Sequence, residues 1–130
     1  MNNILIWFVS VIVFTVLDLF WLVKVAPKLY RKYIGHLMSD RVRIPGAALF
    51  YVLYHVGLTV FVLIPHLEHP LVGAMYGGLF GLVTYATYDL TNLATLRDWP
   101  KTITVIDLIW GTVLTSASTL FTLLLLGVIL

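Results

Sequence analysis

The sequence predicts an all-α, polytopic membrane protein, a bundle of four transmembrane helices, and two observations carry that expectation. Of the 130 residues, 61% are hydrophobic and only 11% charged, with a mean hydropathy of +1.01. A soluble domain is about 45–50% apolar and about 25% charged, so this chain has too little polar surface to coat a particle in water. The second observation is spacing. Four apolar stretches, each near the ~20 residues that a bilayer core about 30 Å thick requires, alternate with short polar segments. They account for residues 1–130 as a single integral membrane domain with no room for a soluble one. The net charge of +2 arises from 8 Lys and Arg against 6 Asp and Glu, too sparse a set for nucleic-acid binding. The absence of cysteine excludes disulfides, thiolate metal sites and thiol nucleophiles.

The first span is expected from about Ile4 to Ala26. It has neither a basic leader nor a small-residue cleavage site, so it reads as a retained helix. Pro27 then opens a basic segment to Ile44, in which Leu29, Tyr30, Tyr33, Ile34 and Leu37 recur at helical spacing while Lys28, Arg31, Lys32 and Gly35 fall opposite. That pattern suits either an interfacial helix resting on anionic lipid headgroups or a solvated connector. The second span is expected at about Pro45–Ile64, closed by Pro65, the third at about Leu71–Leu93 and the fourth at about Thr102–Leu126. The two short links make helices two/three and three/four antiparallel neighbours. All 8 basic residues (Lys24, Lys28, Arg31, Lys32, Arg41, Arg43, Arg97, Lys101) fall on alternate connections, so the positive-inside rule places both termini outside the cytoplasm.

Three carboxylates lie within the spans: Asp18, Asp89 and Asp107. An ionised group at the bilayer centre costs at least ~2.5–3.5 kcal/mol, so each needs a reason to be there. At about 1.5 Å rise per residue all three sit roughly 9–12 Å inside the same basic boundary, hence at one depth near the cytoplasmic face. Helical phase puts Tyr85, Asp89 and Asn92 on one face with Tyr88 adjoining, and Asp18 with Thr15, Trp21 and Leu22. In the fourth span Thr104, Asp107, Gly111, Thr115, Ser118 and Thr122 form one small, polar stripe. Lipid offers such faces no hydrogen bonds, so they should turn inward and meet as one cytoplasm-facing pocket. The candidate ligand-binding residues are Asp18, Trp21, Tyr85, Tyr88, Asp89, Asn92, Asp107 and Trp110. The competing reading is a hydrogen-bonded network that glues helices together.

Other features are weaker. Gly73, Gly77 and Gly81 form a doubled small-xxx-small pattern, suited to an intramolecular seam or to a homodimer face. His55, one turn from Tyr51, reads as a structural histidine or a proton relay. His66, Glu68 and His69 crowd a short Pro-flanked turn, a poor frame for a metal, and no metal or cofactor is expected. No phosphate loop, catalytic serine or dinucleotide motif occurs. Thr15–Trp21 (TVLDLFW) echoes Thr104–Trp110 (TVIDLIW), although the two spans cross in opposite directions and chance accounts for the similarity.

The runs Ala48–Tyr51, Gly81–Leu96 (GLVTYATYDLTNLATL), Trp99 and Asp107–Thr112 (DLIWGT), with Asp18, Trp21 and Tyr30-Arg31, resemble the signature of a family of small bacterial membrane proteins known only as domain of unknown function 2177. That resemblance implies a four-span protein of the bacterial inner membrane and carries over no activity or catalytic residue. Three functions are then in play. The first is a pocket for an amphiphile or lipid entered from the cytoplasmic leaflet, with anionic headgroups near Lys28, Arg31 and Lys32; with no nucleophile evident, the catalytic residues are unknown and enzymatic activity is left open. The others are a small proton-coupled transporter acting as a parallel homodimer, and a structural or accessory membrane subunit.

Overall fold

The computed structural model describes residues 2–130, and every regular element among them is helical. Helix α1 (Asn3–Phe20) starts where the Asn2 side chain accepts the Ile4 N–H at 2.8 Å, satisfying one of the free donors of the first turn. It runs through a single π turn (Trp21–Val25) into α2 (Ala26–Ile34) and a last 3-10 turn (Gly35–Leu37). The rod thus spans 35 residues, and Pro27 does not begin a separate segment as the sequence suggested. Proline lacks an N–H and its ring presses on the carbonyl four residues back; the wide turn, in which Ala26 N–H reaches the Trp21 carbonyl, absorbs that conflict without breaking the helix.

The same device recurs. Helix α3 (Ile44–Leu58) passes through a π turn (Thr59–Leu63) ahead of Pro65 and ends in a 3-10 turn (Ile64–His66). A tight turn leads into α4 (Pro70–Thr95), and a five-residue loop separates it from α5 (Lys101–Ile129). The expected elements are therefore present, with boundaries shifted by a few residues. Three continuous helices, Asn3–Leu37, Ile44–His66 and Lys101–Ile129, are long and apolar enough to cross a membrane. Helix α4 has the length, 26 residues, but its four glycines, Asp89 and Asn92 dilute its apolarity.

Those diluting residues face the neighbouring helix. Gly73, Gly77 and Gly81 are buried against α5, where a Cβ on Gly77 would strike Thr119, and one on Gly81 the Gly111 carbonyl and Thr115. A Cβ on Gly111 would in turn enter the Tyr85 ring. The α4–α5 pair is accordingly the most extensively packed in the molecule. The chain's own α5 occupies this stripe, as an intramolecular seam through Gly73, Gly77 and Gly81 requires.

Helix α1 lies against α5 on another side, and a core of Ile6, Phe14, Tyr54, Leu58, Leu114 and Leu123 fills the space between α1, α3 and α5. Large apolar side chains cover the outer surface, with Val16 66%, Phe61 69% and Met75 74% exposed; such a surface is stable only against lipid. The seam yields a prediction. Gly77→Ala should lower stability in detergent by about 1–3 kcal/mol through overpacking. Gly78→Ala, whose added methyl meets nothing nearer than 3.5 Å, should be neutral or stabilising by up to about 1 kcal/mol, as thermal unfolding of both variants will show.

Candidate functional site

Asp18 and Asp107 are connected by a series of aromatic side chains. Trp110 on α5 donates its indole N–H to Asp18 Oδ1 on α1 at 3.1 Å. The Trp110 ring stacks on Trp21, centroids 4.5 Å apart and planes 10° from parallel. Trp21 donates to the Tyr30 hydroxyl at 3.3 Å, and Tyr30 donates to Asp107 Oδ1 at 2.5 Å. Asp107 and Trp110 lie one turn apart on α5, as Asp18 and Trp21 do at the end of α1, and each aspartate is served by the other motif's tryptophan, directly or through Tyr30. The echo between Thr15–Trp21 and Thr104–Trp110 therefore falls on a pair of Asp-x-x-Trp units that interlock across antiparallel helices.

Asp89 completes the group from α4. Its carboxyl is 1% exposed, and no N–H or O–H donor among the described residues reaches either oxygen. Its neighbour is the carboxyl of Asp107, to which it can hydrogen-bond only when one of the two carries a proton. A buried polar group left without a partner is costly, and a buried charge more so, which singles out Asp89 from the satisfied groups around it.

Asp89 and Asp107 open onto a cleft of about 370 Å³ lined also by Tyr30, Ile34, Met38, Tyr85, Tyr88 and Trp99. Trp99 is held by its indole N–H on Thr104 Oγ1 (3.1 Å) and meets Tyr88 edge-on at 5.6 Å. Asp18 faces a different, smaller cleft of about 130 Å³ with Phe14, Tyr51 and Tyr54, and Tyr85 is the wall between the two. The single three-carboxyl pocket expected from the sequence is thus two clefts, because Tyr85 is wedged into the notch at Gly111. Tyr85 and Tyr88 also line a third, apolar cleft of about 340 Å³ with Phe50 and Thr84. Asn92 is half-buried beside Tyr88 but lines none of these clefts.

Four wall residues, Tyr30, Ile34, Met38 and Trp99, were not among the expected site residues. Tyr30 was placed on the apolar face of the basic segment, and Leu29, Tyr30, Tyr33 and Ile34 are indeed half-buried while Lys28, Arg31 and Lys32 are exposed. That face, however, rests on the acid cluster as well as pointing towards lipid. Trp99 lies in a loop, where periodicity carries no signal.

His55 stands apart from this cluster: Ser10 Oγ lies 3.1 Å from its Nδ1, the rings of Phe14, Tyr51 and Tyr54 surround it, and its Nε2 is buried without a partner. His66 is committed to the backbone, its Nδ1–H donating to the Val62 carbonyl at 2.7 Å.

The relay through Tyr30 can be measured. Tyr30→Phe deletes the donor to Asp107 and the acceptor for Trp21, and should cost about 1 kcal/mol of stability in detergent. In an Asp107→Asn background the same change should cost less, a double-mutant coupling of about 0.5–1.5 kcal/mol; strict additivity would show that the contact carries no energy.

A comparison with known families agrees with this architecture. The family profile described as "Predicted membrane protein (DUF2177)" matches residues 3–124, which include all three aspartates, both Asp-x-x-Trp units and Tyr30. No curated protein and no solved structure matches the chain. With nearly its whole length covered, the chain belongs to the DUF2177 family of predicted membrane proteins, whose function is unknown.

Proposed function

We propose that this protein is a multi-pass protein of the bacterial inner membrane that binds an amphiphilic ligand or lipid in a polar, cytoplasm-facing intramembrane pocket. The observation that carries the reading is Asp89, buried at the wall of a cleft with nothing to serve its carboxyl except the proton it can share with Asp107. A purely structural network would satisfy its members, as Asp18 and Asp107 are satisfied by Trp110 and Tyr30. The adjoining clefts support an amphiphile. The cleft with the two carboxyls and the apolar cleft at Phe50 and Thr84 share Tyr85 and Tyr88, so a polar head and a hydrocarbon tail can be accommodated side by side.

In this reading Tyr85, Tyr88, Asp89 and Asp107 contact the ligand, Asn92 borders it, and Asp18, Trp21 and Trp110 hold the frame. The exposed Lys28, Arg31 and Lys32 rest on anionic headgroups and orient the mouth towards the cytoplasm. The transporter alternative draws on the α5 stripe, but Thr115 is paired with Tyr54 at 2.5 Å and Ser118 donates to the Thr115 carbonyl, so much of that stripe serves packing.

Two experiments test the proposal. The chain has no cysteine, so single reporters are unambiguous. Asn3→Cys and Glu68→Cys should react with an impermeant thiol reagent in intact cells while Arg97→Cys should not, and labelling of Arg97→Cys from outside would reverse the topology. Mass spectrometry of the purified protein should find a co-purifying amphiphile that Asp89→Asn, nearly isosteric and folded, retains at no more than about a tenth of the wild-type occupancy. Equal occupancy in both would return Asp89 to a structural role.

A further inference from the structure

The chemistry of the cleft narrows what its occupant can be. Its walls contain two carboxyls and no Lys, Arg or His. Lys28, Arg31 and Lys32 are exposed on the face of α2 opposite Tyr30, His36 is exposed 3.8 Å from Asp98, and Arg97 and Lys101 are exposed beyond the end of α4 and at the start of α5. An anionic head would therefore enter against two acids without a cation of the chain to offset them. What the site lacks is donors: apart from a proton shared between the two acids, the oxygens of Asp89 receive none, and Asp107 receives one, from Tyr30. The remaining wall is aromatic, with Tyr30, Tyr85, Tyr88 and Trp99, and the π face of such rings attracts positive charge. An inorganic divalent ion fits poorly, because it demands six or more oxygens and two carboxyls with a phenol amid aromatic carbon supply few.

We infer that the group seated against Asp89 is a primary ammonium, the head of an amphiphilic amine. Three N–H donors answer the two free oxygens of Asp89 and the remaining capacity of Asp107, while the aromatic walls favour the charge and the apolar cleft shared through Tyr85 and Tyr88 takes the chain. A quaternary ammonium has the charge but no donor, and would leave Asp89 as it is. This inference rests on the proposed pocket, and adds the sign and the donor count of the head.

The test measures tryptophan fluorescence of the full-length protein in phosphatidylcholine nanodiscs, with empty discs subtracted, on titration with dodecylammonium, dodecyltrimethylammonium, dodecyl phosphate, dodecyl maltoside and butylammonium. Dodecylammonium should bind at least tenfold more tightly than the other dodecyl compounds and more tightly than butylammonium. Asp89→Asn should abolish most of that preference, and Tyr88→Ala, at a position 59% exposed where folding is not at stake, should weaken dodecylammonium binding several-fold. Equal or tighter binding of the trimethylammonium or phosphate compound would overturn the inference while leaving an amphiphile pocket in place. Butylammonium binding as well as dodecylammonium would uphold the ammonium site and remove the amphiphile reading. Failure of all five to bind, or an Asp89→Asn variant with unchanged preference, would overturn both the ammonium and the site.

Discussion

The close approach of α4 and α5 is the constraint from which the rest of the cluster follows. Helices with ordinary side chains at their contact lie about 8–10 Å apart. Gly77, Gly81 and Gly111 leave no Cβ at the crossing, so Thr115 and Thr119 sit directly on the α4 backbone and the Tyr85 ring occupies the space a side chain at position 111 would need. Only with the backbones this near do Asp89 and Asp107, two turns beyond Gly81 and one before Gly111, come into reach of one another. The same wedge separates Asp18 from them. A feature that reads as simple packing thus decides which acids are partners and which are not.

Around that seam the membrane imposes its own accounting of polar groups. A hydrogen bond between helices in a bilayer averages only ~0.6 kcal/mol, so no single contact in the Trp110, Asp18, Trp21, Tyr30, Asp107 series holds the bundle. Its value is geometric. The two Asp-x-x-Trp units fix the relative rotation of α1 and α5, because turning either helix by one residue breaks an indole–carboxylate bond and the Trp21–Trp110 stack together. The apolar core of Ile6, Leu114 and Leu123 would tolerate many rotations; the polar contacts select one.

Much of this was legible before any coordinates. Composition and the length of apolar runs identify the helices, since a bilayer leaves backbone polar groups no other partner. Counting residues from the basic boundary put Asp18, Asp89 and Asp107 at one depth; in the structure Trp110, Trp21 and Tyr30 connect Asp18 with Asp107, while Tyr85 keeps Asp18 out of their cleft. Face assignment by helical phase placed Asp89 with Tyr85 and Asp107 with Gly111, as found, but it also grouped Leu22 with Asp18 and Asn92 with Asp89, and Leu22 is exposed while Asn92 lines no cleft. What escaped was anything that depends on more than one helix. Whether Gly73, Gly77 and Gly81 meet a neighbour or a second copy, whether two similar heptads touch, and whether Tyr85 unites or divides the acids are all questions of which faces are apposed, and a single sequence contains no pairing signal. Trp99 stood out only through the family signature, because a five-residue loop has no period to assign it to a site.

Tyr30 escaped for yet another reason, and it lies in the π turn at Trp21–Val25. At about 100° per residue, the twelve steps from Asp18 to Tyr30 along an uninterrupted α-helix would leave the two side chains about 120° apart. A π turn takes in one residue without advancing the screw, so the effective count is eleven and the separation falls to about 20°. Pro27, by forcing that extra residue into the turn before it, acts as a phase shifter between two stretches of one rod. The stretch before it keeps its angular address against α5, while the stretch after it is re-indexed so that a phenol, and not one of the lysines around it, arrives above the carboxyls.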